Sequence, residues 1–210
     1  MRIEWLGHAS ILIEGSLRIY VDPYEIEKGE PADVVFITHT HPDHLDLSSL
    51  ARVVDERTAI VCSADAHSKL AKLEPASITL MRPSEEASVR GLQVRATPAY
   101  NTDKPFHPKE NEWLGFVIDV EGLRVYVAGD LDDLPELEGL SCDVLFVPVS
   151  GTYVMTADEA ARFARRIDYR LAVPVHYGSV VGSREDADRF VSLVDRAVVA
   201  EKGVDLFEEL

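Results

Sequence analysis

The segment of this chain with the clearest chemical potential is a histidine-rich stretch between residues 38 and 44. It reads Thr38-His39-Thr40-His41-Pro42-Asp43-His44. Side chains alternate along extended backbone, so positions 39, 41 and 43 are expected to point to one side. Pro42 stops a strand or helix from continuing and forces a turn, which can bring His44 to a neighbouring point. One short loop can therefore offer two imidazoles to one metal ion, and a carboxylate with an imidazole to a second.

Three more side chains that could bind a metal stand where a predicted apolar strand ends. They are Asp22, Asp130 and His176. The histidine-rich stretch also follows a continuous apolar run, which is typical of a strand buried on both faces. Carboxylates and imidazoles at several strand ends are what a site at one edge of a sheet requires.

The elements that must position these residues are short strands with interleaved helices. The pattern predicts strands over Ile3–Leu6, Ile11–Glu14, Arg18–Val21, Asp33–Thr38, Ala59–Cys62, Ser77–Leu80, Ala87–Val89, Leu92–Ala96, Leu114–Val120, Leu123–Ala128, Asp143–Val147 and Leu171–Val175. It predicts helices over Leu47–Val54, Ser63–Leu73, Thr156–Ile167 and Arg184–Arg196. Strands in both halves of the chain, alternating with helices, predict one layered α/β domain over residues 1–210 in which helices cover packed sheets.

Composition narrows the classes of function. The chain has 210 residues, 46% of them hydrophobic, with 37 acidic against 21 basic side chains and a net charge of -16. The apolar fraction excludes a disordered protein, and the charge disfavours general binding to nucleic acid or to anionic membranes. The two cysteines, Cys62 and Cys142, each lie in an apolar run and are predicted to be buried free thiols. No signal peptide and no membrane span are recognised, so the prediction is a cytoplasmic protein.

The spacing His39-x-His41-x-Asp43-His44 resembles the signature of the metallo-β-lactamase superfamily. The other residues that resemble motifs of that superfamily are Asp22, Gly129-Asp130 and His176. The opening Trp5-Leu6-Gly7-His8-Ala9-Ser10 is similar to a sub-branch of small hydrolases that includes ascorbate-phosphate lactonases and the phospholipase D of N-acyl phosphatidylethanolamine. The resemblance implies a four-layer αββα sandwich, in which two mixed β-sheets are flanked by helices.

The resemblance also implies a binuclear metal site. The implied ligands are His39 and His41 for the first metal, Asp43, His44 and His176 for the second, and Asp130 as the carboxylate between them. Asp22 resembles a residue that orients a ligand histidine. Imidazole and carboxylate ligands without thiolates suit two Zn²⁺ ions, and Mn²⁺ or Fe²⁺ can also be bound by such a set.

The sequence departs from the family pattern at the third motif. That stretch reads Thr97-Pro98-Ala99-Tyr100-Asn101, with Tyr100 where a histidine is expected. A phenol with an ordinary pKa of about 10 would bind only as a costly phenolate, whereas an imidazole binds when neutral. We therefore predict that His107, in the same long polar loop, completes the first metal site and that Tyr100 supports a ligand or contacts substrate. The alternative is a first site left open at this corner.

The implied activity is hydrolysis by a hydroxide that bridges two metal ions and attacks an ester-type bond, with phosphodiesters and lactones favoured. Asp43 is expected to orient the hydroxide, Asp130 to hold both metals, and His8 to approach the site as a substrate contact or proton donor. The predicted partner is a small molecule, and an anionic one is compatible with the metals. The loops Thr97–Glu112 and Val149–Met155 are expected to set specificity. Their possible apolar wall comprises Tyr100, Phe106, Trp113, Tyr153 and Met155.

Other functions remain open at this point. A non-catalytic metal or ligand sensor could retain the same fold and the same ligands. A redox di-iron protein is disfavoured because such proteins usually carry a flavin-binding domain, for which this chain has no room. A nuclease is disfavoured because the sequence lacks a basic stretch, and Arg162, Arg165 and Arg166 are interpreted as one solvated helix face.

Overall fold

Twelve strands form two six-stranded sheets in the computed structural model, which describes residues 1–210. The strands are β1 (Arg2–Gly7), β2 (Ser10–Glu14), β3 (Arg18–Val21), β4 (Val34–Ile37), β5 (Ala59–Cys62), β6 (Ser77–Leu80), β7 (Glu86–Val89), β8 (Leu92–Pro98), β9 (Leu114–Val120), β10 (Leu123–Val127), β11 (Val144–Pro148) and β12 (Leu171–Val175). All twelve coincide with predicted strands to within two residues at each end. The helices are α1 (Leu47–Val53), α2 (His67–Leu70), α3 (Ala157–Ala164) and α4 (Arg184–Leu193). None of them is long and apolar enough to span a membrane.

Both sheets are mixed. The first has the order β1-β2-β3-β4-β5-β6, antiparallel as far as β3 and parallel from β3 to β6. The second has the order β12-β11-β10-β9-β8-β7, with its three parallel strands at the β12 end. The inner parallel strands β4, β5 and β11 are buried at every position, as their continuous apolar sequences predict.

The main core lies between the two sheets. Twenty-eight buried residues, most of them from the two sheets, form this cluster, and the centroids of the Phe36 and Phe116 rings lie 5.1 Å apart across it. Because side chains alternate along a strand, the neighbours of Phe36 in β4, Val35 and Ile37, face the opposite side. Each buried strand therefore contributes to two apolar layers.

The helices cover the two outer faces. Leu50 and Val53 of α1 and Leu70 of α2 pack on the first sheet in a cluster of 11 buried residues. Phe163 of α3 and Phe190 of α4 pack on the second sheet in a cluster of 23. The layers are therefore helix, sheet, sheet and helix, which confirms the predicted αββα sandwich.

Three predicted helices differ from those observed. The helix predicted over Ser63–Leu73 is divided into a 3₁₀ turn, the single α-turn α2, and a second 3₁₀ turn. Ser63, which precedes the first 3₁₀ turn, accepts no capping hydrogen bond, and its hydroxyl donates to Asp65. Helix α3 stops at Ala164, before the predicted end at Ile167, and helix α4 stops at Leu193, before the predicted end at Arg196. Helix α3 begins with a capping box formed by Thr156 and Glu159, and both cysteines are buried and free as predicted.

Candidate metal centre

The polar side chains singled out in the sequence meet at one edge of the sandwich. The stretch 38–44 follows β4, and Asp22 follows β3, its parallel neighbour. Asp130 and His176 follow β10 and β12, which lie in the parallel part of the second sheet. Parallel strands end at the same sheet edge, so their following residues share one region. His8 joins them from the turn between β1 and β2.

Three imidazoles form the first cluster. His39 Nε2 lies 3.0 Å from His41 Nδ1. The His107 ring stands 5.2 Å from the His39 ring and 4.9 Å from the His41 ring. A ligand atom of each of the three lies within 4.8 Å of the others. Tyr100 points elsewhere, because its hydroxyl donates to Glu136 at 2.6 Å.

The second cluster combines one carboxylate with three imidazoles. Asp43 Oδ2 lies 3.7 Å from His44 Nε2 and 3.6 Å from His176 Nε2. The same oxygen lies 2.9 Å from Nε2 of His8, a ring that is itself buried. His8 therefore reaches the site predicted for it, through Asp43.

Asp130 lies between the clusters. Its Oδ2 is 3.2 Å from His107 Nε2 in the first cluster and 3.0 Å from His176 Nε2 in the second. Its Oδ1 is 3.4 Å from His44 Nε2. One buried carboxylate thus contacts imidazoles of both clusters, which is the placement that a bridging ligand requires.

Most of these histidines have a polar partner at Nδ1, the second nitrogen of the ring. Metal-binding histidines in proteins usually engage their second ring nitrogen with a carboxylate, carbonyl or hydroxyl, which fixes the ring orientation. The contacts of this kind are His44 Nδ1 with Asp22 at 2.7 Å, His107 Nδ1 with Asn101 at 2.9 Å, His176 Nδ1 with Ser150 at 3.0 Å and His39 Nδ1 with Thr38 at 3.0 Å. Asp22 also accepts hydrogen bonds from the Thr38 backbone and hydroxyl.

Of these supporting residues, the sequence analysis identified Asp22 and missed the others. Thr38 and Ser150 each stand within two residues of the end of a buried strand, which was a usable signal. Asn101 directly follows Tyr100, which stands where the family motif has a histidine, and it forms hydrogen bonds with His107.

Asn101 closes the loop that carries His107. Its backbone N–H donates to the His107 carbonyl at 2.8 Å, and its side-chain oxygen accepts from the His107 N–H at 3.0 Å. Its amide nitrogen donates to Asp132 at 3.1 Å and to the Tyr153 carbonyl at 3.0 Å. Asp132 also accepts from Lys104 Nζ at 2.7 Å. These hydrogen bonds join the two ends of the seven-residue segment 101–107, which we call the tied loop.

Unpartnered nitrogens indicate what the clusters would hold. The Nε2 atoms of His44, His107 and His176 are buried and make no hydrogen bond. A buried polar atom without a partner is costly, and such atoms usually mark an ion or a functional role. All three face Asp130, and a site of imidazoles and carboxylates with buried, inward-facing nitrogens fits divalent cations such as Zn²⁺.

The electrostatics agree with that fit. Burial holds the pKa of His39 well below its ordinary value, so this ring is neutral, as a ligand must be. Burial opposes ionisation of Asp130, but His176 and His44 hold its pKa well below the usual range. Burial likewise opposes charge on His44, yet Asp130 and Asp22 raise its pKa well above the ordinary value. Without another cation, a proton on His44 helps to balance the carboxylates, and a metal ion would replace that proton.

Solvent reaches the site from one side. Only His41 and Asp43 among the proposed ligands are partly exposed, and the Asp43 side chain is 15% exposed. Trp113 packs 4.8 Å from the rings of both His39 and His41, and its indole N–H donates to Asp65. Met155, expected in a substrate wall, is instead buried in the core under α3 and α4, because the loop after β11 turns its side chain inward.

Known proteins resemble this chain along most of its length. The sequence profile of the β-lactamase superfamily domain matches residues 2–176. A metal-dependent hydrolase of Methanoculleus marisnigri is 31% identical, over 93% of this chain and 89% of that protein. A second metal-dependent hydrolase, from Thermococcus onnurineus, is 29% identical over 95% of each chain.

Solved structures agree in fold. A crystal structure from Parabacteroides distasonis, described as a candidate metal-dependent hydrolase, has a TM-score of 0.81 and 30% identity, covering 95% of this chain and 92% of that one. A metallo hydrolase from Ignicoccus hospitalis has a TM-score of 0.77 over 97% of this chain and 96% of its own, but at 21% identity it supports the fold alone. The chain belongs to the metallo-β-lactamase superfamily, as the profile match, the αββα sandwich and the paired clusters together show.

Proposed function

We propose that this chain is a metal-dependent hydrolase formed by a single domain with a binuclear centre. One ion would be held by His39, His41 and His107, and the second by Asp43, His44 and His176. The observation that carries the proposal is the position of Asp130, whose Oδ2 lies 3.2 Å from His107 Nε2 and 3.0 Å from His176 Nε2. The relatives named metal-dependent hydrolases support the same activity.

The ions would supply Lewis acidity and make a water molecule acidic enough to act as a nucleophile near neutral pH. The protein contributes orientation. The Asp43 carboxylate, which is partly exposed, can accept a hydrogen bond from a water molecule at the open side of the site. His8 contacts the same carboxylate at 2.9 Å and thereby fixes its direction. Asp22 and Asn101 fix the rings of His44 and His107.

The proposed reaction is hydrolysis of an ester-type bond in a small molecule, with lactones and phosphodiesters as the starting candidates. Zn²⁺ is the proposed metal, and Mn²⁺ or Fe²⁺ would also suit a set of nitrogen and oxygen ligands without thiolates. Because the ligands other than His41 and Asp43 are buried, substrate is expected to approach across these two residues.

The test is chelation followed by reloading. Protein stripped with a chelator is expected to lose hydrolysis of chromogenic esters and diesters, and to regain it with Zn²⁺ or Mn²⁺. Asp43→Ala is expected to abolish turnover with the fold retained by circular dichroism. Asp188→Ala is the control, because this exposed carboxylate pairs with Arg184 on α4, away from the clusters. Full activity after chelation, or wild-type activity in Asp43→Ala, would contradict the proposal.

A further inference from the structure

Two aromatic rings, one exposed and one half-buried, pair where the chain leads into His107 of the first cluster. Phe106 immediately precedes His107 and is 41% exposed, which is unusual for a large apolar side chain. Its ring meets that of Tyr153 edge-on, with centroids 4.7 Å apart. Exposed apolar surface next to convergent polar groups is typical of the wall of a ligand site.

The two loops that carry the pair are hydrogen-bonded to the metal ligands. Asn101 donates to the Tyr153 carbonyl and accepts from His107, so one side chain ties both aromatic-bearing loops to the first cluster. The loop with Tyr153 also carries Ser150, which contacts His176 of the second cluster. A wall that is held by the same hydrogen bonds as the ligands can orient a substrate against them.

Charge around the site favours a neutral substrate. The carboxylates of Asp22 and Asp130, which are buried, and of Asp43, which is partly exposed, offset three of the four positive charges that two divalent ions would bring. A nucleophilic hydroxide would offset the fourth. Lys104, the basic side chain within the tied loop, is paired with Asp132 at 2.7 Å and with Asp103 at 2.8 Å. A phosphodiester anion would therefore gain little attraction, and it would meet the exposed edge of Asp43.

We infer that the substrate is a neutral carboxylic ester or lactone whose apolar part packs on Phe106 and Tyr153. This inference rests on the proposed hydrolase function. In the reaction, the oxygen of water forms a bond to the carbonyl carbon and the acyl–oxygen bond breaks. The leaving oxygen takes one proton of the water, and the carboxylic acid formed releases its own proton to solvent.

The test compares substrates that share a leaving group. The metal-loaded protein is assayed with p-nitrophenyl acetate, p-nitrophenyl hexanoate and bis(p-nitrophenyl) phosphate. A methylene on a wall that is open on one side contributes only part of what a fully enclosed methylene contributes. We expect kcat/KM for the hexanoate to exceed that for the acetate by about tenfold, corresponding to about 1.4 kcal/mol, and to exceed that for the diester.

The variant Phe106→Ala separates the wall from the metal centre. It is expected to remove most of the preference for hexanoate over acetate, since the ring is proposed to contact the longer acyl chain. Phe207→Ala is the matched control, because Phe207 is also 41% exposed but lies in the C-terminal 3₁₀ turn. It is expected to leave the preference unchanged.

Binding gives a readout that does not depend on turnover. Calorimetric titration with hexananilide and acetanilide, neutral amides that resist hydrolysis, is expected to show tighter binding of the longer amide, lost in Phe106→Ala. Faster hydrolysis of the diester, or a chain-length preference that survives Phe106→Ala, would overturn this inference and leave the hydrolase function standing. Absence of all hydrolysis would contradict the proposed function, and equal binding of the two amides would overturn the aromatic wall.

Discussion

Replacement of Asn101 by leucine should weaken the first metal site without touching a ligand. Leucine has nearly the same size but no acceptor, so the buried Nδ1 of His107 would lose its partner at 2.9 Å. The backbone N–H of His107 would lose a bond of 3.0 Å to the same oxygen. The contacts of Asn101 with Asp132 and the Tyr153 carbonyl would also disappear.

The size of the effect follows from these contacts. Loss of a partner behind a ligand histidine typically costs 10–100-fold in metal affinity, roughly 1.4–2.7 kcal/mol. An unpartnered buried donor costs about 1–3 kcal/mol, which agrees with that range. We therefore expect Asn101→Leu to weaken one of two metal-binding steps by about 10–100-fold. For a chain of this length, the midpoint of thermal unfolding should fall by about 3–11 °C, at about 2–4 °C per kcal/mol.

The assay is competition for Zn²⁺ with a chromophoric chelator, which resolves the two binding steps. Asn111→Leu is the control, because Asn111 is exposed on the same long loop. Unchanged affinity in Asn101→Leu, or an equal loss in the control, would refute the assignment of His107 to the first site.

Three further outcomes follow from the structure. His8→Leu should lower kcat and weaken metal binding at the second site by roughly tenfold. His8→Gln keeps a side-chain N–H toward Asp43 and should recover part of the kcat and part of the metal affinity. Equal losses in the two variants would contradict a positioning role for His8. Chelation should lower the melting temperature of the wild type, because ions that bind only the folded chain stabilise it. An unchanged melting temperature in scanning calorimetry would contradict this prediction. Cys62 and Cys142, whose pKa values burial raises to about 12, should resist a thiol reagent at pH 8 and react on unfolding, so rapid labelling of the native protein would contradict their burial.

The fold was largely predictable because its signals are local. Continuous apolar runs such as β4 and β11 marked the parallel strands, and the turn at Pro42 marked the loop that bears three of the histidines. The composition of the histidine-rich stretch and the strand-end positions of Asp130 and His176 indicated one sheet edge. The chemistry of neutral imidazole favoured His107 over Tyr100, and the structure brings His107 to the first cluster.

What could not be predicted depends on contacts between distant segments. Asn101 and Ser150 are ordinary loop residues in the sequence, and their importance comes from the rings that tertiary structure places against them. The helix predicted over 63–73 is divided partly because Asp65 accepts hydrogen bonds from Thr40 and Trp113, residues far away in the chain. Met155 appeared to be a wall residue because its loop flanks the site, but periodicity does not reveal which way a single loop side chain turns.

The most direct test of the binuclear centre is the metal content of wild type and His107→Ala after identical loading with Zn²⁺ and removal of excess ions. The Nε2 of His107 is buried, unpartnered and 3.2 Å from Asp130 Oδ2, so its removal should affect one site and spare the other. Plasma mass spectrometry is predicted to find two ions per wild-type chain and one per variant chain. One ion or none in the wild type, or two equally retained ions in the variant, would contradict the proposed centre.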